Sequence, residues 1–182
     1  MTEASVALDV GGTMIKGALA GRDGAFLRTR RWPTAREEGP EAVVQRILQA
    51  AAELAETARA ELGTPARAAG VAVPGSVDED NGMALYSANI GWRDVPLRSL
   101  LEDRLRLPSA VAHDVRAASL GEGSLGAARG LGDYLFVGIG TGIGGGIVSG
   151  GQPQRGAHGL AGEIGHVIVQ PGGPLCGCGA HG

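Results

Sequence analysis

The last nine residues, "PLCGCGAHG", hold the chain's only two cysteines, Cys176 and Cys178, with His166 ten residues upstream. Two thiols and an imidazole on a glycine-rich loop are soft and borderline ligands of the kind that hold zinc, although a closed structural zinc site takes four. A C-x-C spacing strains against a disulfide between its own two members. Metal or free thiols remain. A second cluster lies at the other end, in "LDVGGTMIKG": Asp9, Gly11, Gly12, Thr13 and Lys16. Glycines let backbone N–H groups approach phosphate oxygens, a threonine hydroxyl adds a donor, and a carboxylate beside the turn can face Mg²⁺ directly or through water. The pattern is neither G-x-G-x-x-G nor Walker A. Taken alone, it is better described as an ordinary hairpin with a capping Asp.

"GIGTGIGGGIV" places Thr141 and Gly142 at the apex of a second glycine-rich turn. Two such turns in corresponding positions are harder to explain as turns alone. They suggest phosphates held from both sides of a cleft. "AHDVRA" puts Asp114 where a strand meets a helix. There it is either an N-cap or a general base that takes a proton from an attacking hydroxyl. "GLAGEIGH" carries Glu163 and His166 three apart, suited to adjacent sugar hydroxyls or to a solvated turn.

Elements must place these residues. "SVALDVGGTMIKGALAGRDGAFLRTRRW" alternates apolar and small or polar residues around Gly-Gly and Asp-Gly, which predicts three antiparallel strands. From Pro40 to Leu62 an apolar face at helical spacing (Val44, Ile47, Leu48, Ala51, Leu54, Ala55, Ala58, Leu62) predicts a helix stopped by Gly63. "AAGVAVPG" reads as a strand, "MALYSANIGW" as a segment running out into a loop, "VPLRSLLEDRLRL" as a helix, "SAVAHDV" as a strand and "RAASLGEGSLGAARG" as a helix. "DYLFVGIGTGIGGGIVSGGQ" then repeats the opening hairpin, and "GEIGHVIVQPGG" offers its third strand. The expected architecture is α/β, with duplicated βββαβαβα domains. One domain would span residues 1–118, and residues 119–182 would begin a second.

Composition narrows the class. Hydrophobic residues make up 43% and the mean hydropathy is +0.06, as in globular proteins. No apolar run reaches the roughly 18 residues of a membrane span, and the N-terminus has no signal-peptide pattern. A cytoplasmic protein without membrane partners is expected. A net charge of −3 with no basic stripe argues against nucleic acid as a partner. Lys16 is the single lysine among sixteen basic residues.

Taken together, "DVGGTMIKG", "ANIGW", "HD" before a small-residue helix, "GTGIGGG", "GEIGH" and "CGCGAHG" resemble the ROK family of sugar kinases and sugar-responsive repressors. That family lies within the actin, hexokinase and Hsp70 superfamily, whose actin-like ATPase (ribonuclease H-like) fold is then expected. The resemblance implies an ATP-dependent hexose kinase, glucose first, with Mg²⁺ and Zn²⁺ as cofactors and a possible homo-oligomeric state. It places Asp9, Gly11, Gly12, Thr13 and Lys16 in the first phosphate loop and Thr141 and Gly142 in the second. Asn89, Asp114, Glu163 and His166 would bind the sugar, Asp114 as base, and His166, Cys176 and Cys178 would ligate zinc.

The sequence departs from the family at His113, where Asn is usual. It also ends one residue before the family's next cysteine, which implies an incomplete zinc site and second domain. Two alternatives follow from the same residues: a truncated, inactive sugar-binding fragment, or a sugar-responsive regulator lacking its DNA-binding module.

Overall fold

A computed structural model describes residues 3–140 and 142–182. It is mixed α/β and divides into two compact units, Met1–Asp114 and Val115–Gly182.

In the first unit, β1 (Ala4–Val10), β2 (Met14–Gly21) and β3 (Phe26–Pro33) form the expected antiparallel meander. β4 (Ala69–Val73) and β8 (Ser109–His113) extend it in parallel, giving the order β3-β2-β1-β4-β8. The parallel pairs are connected through helices, as parallel strands require. α1 (Pro40–Leu62) starts with Pro40 in its first turn and ends at Gly63, whose φ of 68° is left-handed. Its buried face comprises Val43, Val44, Ile47, Leu48, Ala51, Leu54, Ala55 and Ala58, together with Ala50. α2 (Leu97–Leu105) buries Leu97, Leu101 and Leu105 at a spacing of four.

One small sheet was not anticipated. β5 (Ser76–Asp78), β6 (Met83–Tyr86) and β7 (Arg93–Val95) pair in sequence order between β4 and α2. Strands of three or four residues are too short to show an alternation, so the sequence reads there as turn and loop.

In the second unit, α3 (Asp114–Leu125, counted from the last residue of the first unit) is followed by the hairpin β9 (Tyr134–Ile139) and β10 (Ile143–Ser149). The third strand differs from expectation. It is the two-residue β11 (Gln152–Pro153), not the "GEIGHVIVQPGG" segment. That segment instead makes a 3-10 turn at Ile164–His166, and Val167, Ile168 and Val169 remain exposed. Apolar character suggested a strand; the backbone N–H groups of Val169 and Gln170 instead donate to the Gly182 carbonyl. Among the described residues, no helix is long and apolar enough to cross a membrane.

α1 lies close to its sheet because Gly17, in mid-β2, has no side chain. A β-carbon there would stand 2.7 Å from Leu8 Cδ2, 2.7 Å from Trp32 Cζ3 and 2.8 Å from Leu54 Cδ1. Gly17→Ala should therefore destabilise the first unit by about 1–3 kcal/mol through overpacking. Gly70→Ala in β4, where nothing lies within 4 Å of the new carbon, should be neutral or slightly stabilising. Urea unfolding of both variants checks this. Equal losses at the two positions would rule out packing as the cause.

Candidate functional site

The residues expected to act on phosphate sit on the β1–β2 hairpin. Asp9 and Lys16 face each other in the antiparallel register, and Lys16 Nζ donates to Asp9 Oδ2 at 3.2 Å. Both side chains are at least half exposed, so water screens the pair. Between them the chain reverses through Gly11, Gly12 and Thr13, closed by the Gly11 N–H donating to the Met14 carbonyl at 2.9 Å.

The hairpin is braced by a residue that the sequence reading missed. Thr34, fully buried just after β3, donates its hydroxyl to the Gly11 carbonyl at 2.7 Å and its N–H to the Thr13 carbonyl at 2.9 Å. No local signal marks it, because its partners lie more than twenty residues earlier.

Asn89 is exposed on the turn from Ser87 to Gly91, which is closed by the Gly91 N–H donating to the Ser87 carbonyl at 2.7 Å. Ile90 and Trp92 are 4% and 1% exposed. The apolar members of "ANIGW" are thus anchors, and Asn89 is what they display.

Asp114 follows β8 and opens α3, where a carboxylate is favoured by the helix dipole. His113, in the position where Asn was expected, brings its Nε2 to 3.4 Å from Asp114 Oδ1. The His113 backbone N–H donates to Glu79 Oε1 at 3.0 Å. Glu79, on the turn after β5, thereby fixes the end of the strand that carries Asp114.

In the second unit the hairpin turn spans Gly140 to Gly142, with the Gly140 N–H donating to the Gly142 carbonyl at 2.9 Å. Thr141 lies outside the described residues. The run Gly144–Gly146 belongs to β10 and serves packing. A β-carbon on Gly146 would meet Ser119 of α3 at 2.6 Å. On the other face, the Gly145 N–H donates to the Gly162 carbonyl at 2.7 Å. Gly162 has a φ of 94°, and a β-carbon there would lie 1.8 Å from the Gly145 oxygen, so this approach needs glycine. Arg116, 2% exposed, donates to the Gly159 carbonyl at 3.0 Å and secures the same loop. Sequence reasoning missed that role too.

Glu163 precedes the 3-10 turn and His166 ends it, with His166 Nε2 3.6 Å from Glu163 Oε2. The other imidazole nitrogen, Nδ1, is 3.6 Å from Cys176 Sγ. The ligand atoms of His166, Cys176 and Cys178 all lie within 4.8 Å of one another. Tetrahedral bonds of about 2.1 Å to nitrogen and 2.3 Å to sulfur put the two ligand atoms about 3.6 Å apart, so the three residues suit zinc. Hydrogen bonds from Cys178, then His166, hold the Cys176 thiol below the usual thiol range, toward the thiolate that a metal needs. The loop is closed by the Cys176 N–H donating to the Ala180 carbonyl at 2.8 Å. His181 also lines the adjoining cavity of about 20 Å³.

This arrangement has relatives. A glucokinase of Streptomyces coelicolor is 36% identical over 178 residues, which is 98% of this chain and 54% of that protein. A solved ROK family glucokinase from Streptomyces griseus, in complex with glucose and AMPPNP, is 37% identical at a TM-score of 0.86, over 98% of this chain and 55% of its own. A solved ROK family transcriptional regulator, a homolog of the E. coli MLC protein, is 26% identical at a TM-score of 0.88, over 100% of this chain and 46% of its own. The chain thus spans about half the length of the relatives it matches. The family model for ROK proteins matches residues 5–182, so this chain belongs to the ROK family, with the actin-like fold of its sugar kinases.

Proposed function

We infer that this chain carries catalytic residues of an ATP-dependent hexose kinase, with glucose the first candidate substrate. The observation that supports it most is the likeness, along 98% of the chain, to a glucokinase solved with glucose and an ATP analogue. On this reading Asn89, Glu163 and His166 hold sugar hydroxyls. Asp114 takes the proton from the attacking hydroxyl as the new oxygen–phosphorus bond forms. The bond from the γ-phosphorus to the bridging oxygen breaks, and ADP leaves. Gly11, Gly12, Thr13 and Lys16 are the candidates for the first phosphate loop, and Thr141 and Gly142 those for the second.

Asp9 would hold Mg²⁺, whose chemistry is to neutralise charge on the transferring phosphates. His113 next to Asp114 replaces an amide with an imidazole. It can still donate from Nε2 to the carboxylate and so orient it for the hydroxyl. His166, Cys176 and Cys178 would hold Zn²⁺, which would fix His166 toward the sugar through the imidazole's other nitrogen.

A second reading has its own support. The MLC-like regulator matches the whole chain at a TM-score of 0.88, so this fold also serves a protein described as a transcriptional regulator. Sugar binding without phosphoryl transfer is that reading.

Glucose-dependent ADP release from MgATP separates the two. Under the kinase reading, Asp114→Asn lowers that release by at least about 10²-fold, the lower bound for a general base, while glucose still binds. Turnover near wild type in Asp114→Asn would remove the base assignment. Saturable glucose binding with no ADP release from the wild-type chain would favour sugar binding without phosphoryl transfer, as a regulator or as an inactive fragment of a kinase. The same assay on a longer chain that spans the full length of the relatives separates those two.

The zinc assignment makes a separate prediction. With three ligands converging where a closed site has four, dialysis against a chelator should strip zinc readily, and Cys178→Ser should abolish stoichiometric uptake. One zinc per chain retained through dialysis would mean that a further group closes the site. His181→Ala would then show whether it is the imidazole already lining the cavity.

A further inference from the structure

We propose that Arg36 is a phosphate-binding residue of the first glycine loop, reaching over Gly12 to the terminal phosphates of a condensed phosphate. This rests on the reading of that loop as a phosphate loop and adds a residue to it.

Three observations converge on the segment Thr34–Ala35–Arg36. The first is attachment: Thr34 is sealed from solvent and bonded to the carbonyls of both Gly11 and Thr13, so the segment and the loop move as one piece. The second is backbone strain. Ala35, 8% exposed, sits at φ 51° and ψ 48°, a left-handed conformation that residues with a β-carbon seldom adopt. Such a conformation persists where the surroundings impose it. Its effect here is to turn the chain sharply after β3, so that Arg36 is directed back to the hairpin instead of following the strand. The third is reach: a β-carbon on Gly12 would lie 4.0 Å from Arg36 Nη1. The guanidinium therefore stands over Gly12, which has no side chain to block it.

Charge accounts for why an arginine is wanted there. Lys16, the cation that the motif itself supplies, is paired with Asp9 at 3.2 Å, so the hairpin carries no net charge to offset a phosphate. Of the other arginines nearby, Arg46 is engaged with Glu38, Arg28 with Glu61 and Arg30 with Glu53, whereas Arg31 stands opposite Lys16 in the β2–β3 register and not over Gly12. Among the described residues no carboxylate pairs with Arg36, which is exposed at the start of its 3-10 turn. A guanidinium presents paired N–H donors that match two oxygens of one phosphate, a geometry an ammonium cannot offer. Backbone N–H groups of the loop below and a guanidinium above would enclose the anion from two sides.

The test uses the ¹⁵N-labelled chain and magnesium tripolyphosphate, a probe that carries the phosphates without a base or sugar. Saturable shifts at the Gly11, Gly12 and Thr13 amides report binding at the loop. Arg36→Gln is expected to weaken that binding about ten-fold or more, as loss of hydrogen bonds from a charged group does. Arg46→Gln, which removes the same charge from α1, is expected to change it less than two-fold. Equal affinity in wild type and Arg36→Gln, with the loop amides still shifting, would overturn the proposal and leave the phosphate loop standing. Equal weakening in Arg36→Gln and Arg46→Gln would also overturn it, since general charge would then suffice. Absence of any saturable shift at those amides in the wild type would remove the phosphate-loop reading and this proposal together.

Discussion

A turn built of glycines has few side chains with which to hold itself in place, so its conformation depends on bonds from elsewhere in the fold. In the first unit, the Gly11–Thr13 turn is held from behind by Thr34, whose two hydrogen bonds end on carbonyls of the turn. Thr34 itself is fully buried, so the donor side of these bonds is shielded from water. With the carbonyls occupied on the inner side, the turn keeps a fixed conformation while Thr13 stays exposed. In the second unit the brace is backbone on backbone: Gly145 donates to Gly162 across an approach that any side chain on Gly162 would prevent.

This separates two kinds of glycine that look alike in a sequence. Gly12 lies in a reversal where little is packed against it, and Gly11 beside it meets only the Met14 carbonyl of its own turn. Gly17, Gly146 and Gly162 lie where a helix, a strand or a loop presses to within a side chain's radius. "GTGIGGG" reads as one phosphate motif, yet its last three glycines form a strand that α3 and the 156–162 loop pack against. The composition that suggests ligand binding is partly a record of close packing.

How much was legible follows from range. The meander, α1 and the parallel strands announce themselves by periodicity within a dozen residues, and Asp9, Lys16, Asp114 and the cysteine loop by short motifs. Thr34, Glu79 and Arg116 carry no such mark. Each acts on backbone atoms distant in sequence, and a buried polar side chain looks in sequence like any loop polar residue. The "HVIVQ" run was misread for the opposite reason. Its apolar residues satisfy the pattern of a strand, but Val169 is 85% exposed and its N–H is bonded to the Gly182 carbonyl. Pattern specifies which residues could be buried; pairing partners decide which are.

The two units differ in what holds them. The hydrophobic core runs from Ala4 to Val111, entirely within the first unit, and includes Trp92, Leu54 and Ile47 at 1% exposure or less. In the second, the described buried side chains are few: Arg116, Ser119, Ala128 and Val148. Leu135, Val137, Ile139 and Ile143 of its hairpin are exposed. Apolar burial therefore contributes little there, and order depends on directional contacts such as Arg116 to Gly159 and Tyr134 to the Ser119 carbonyl at 2.8 Å. Directional contacts tolerate substitution poorly, because removing one partner leaves a buried polar group unsatisfied. A zinc ion on His166, Cys176 and Cys178 would add covalent-strength links where apolar burial is thinnest. The cluster of His166, Cys176 and Cys178 thus sits in the part of the described chain where apolar burial is thinnest.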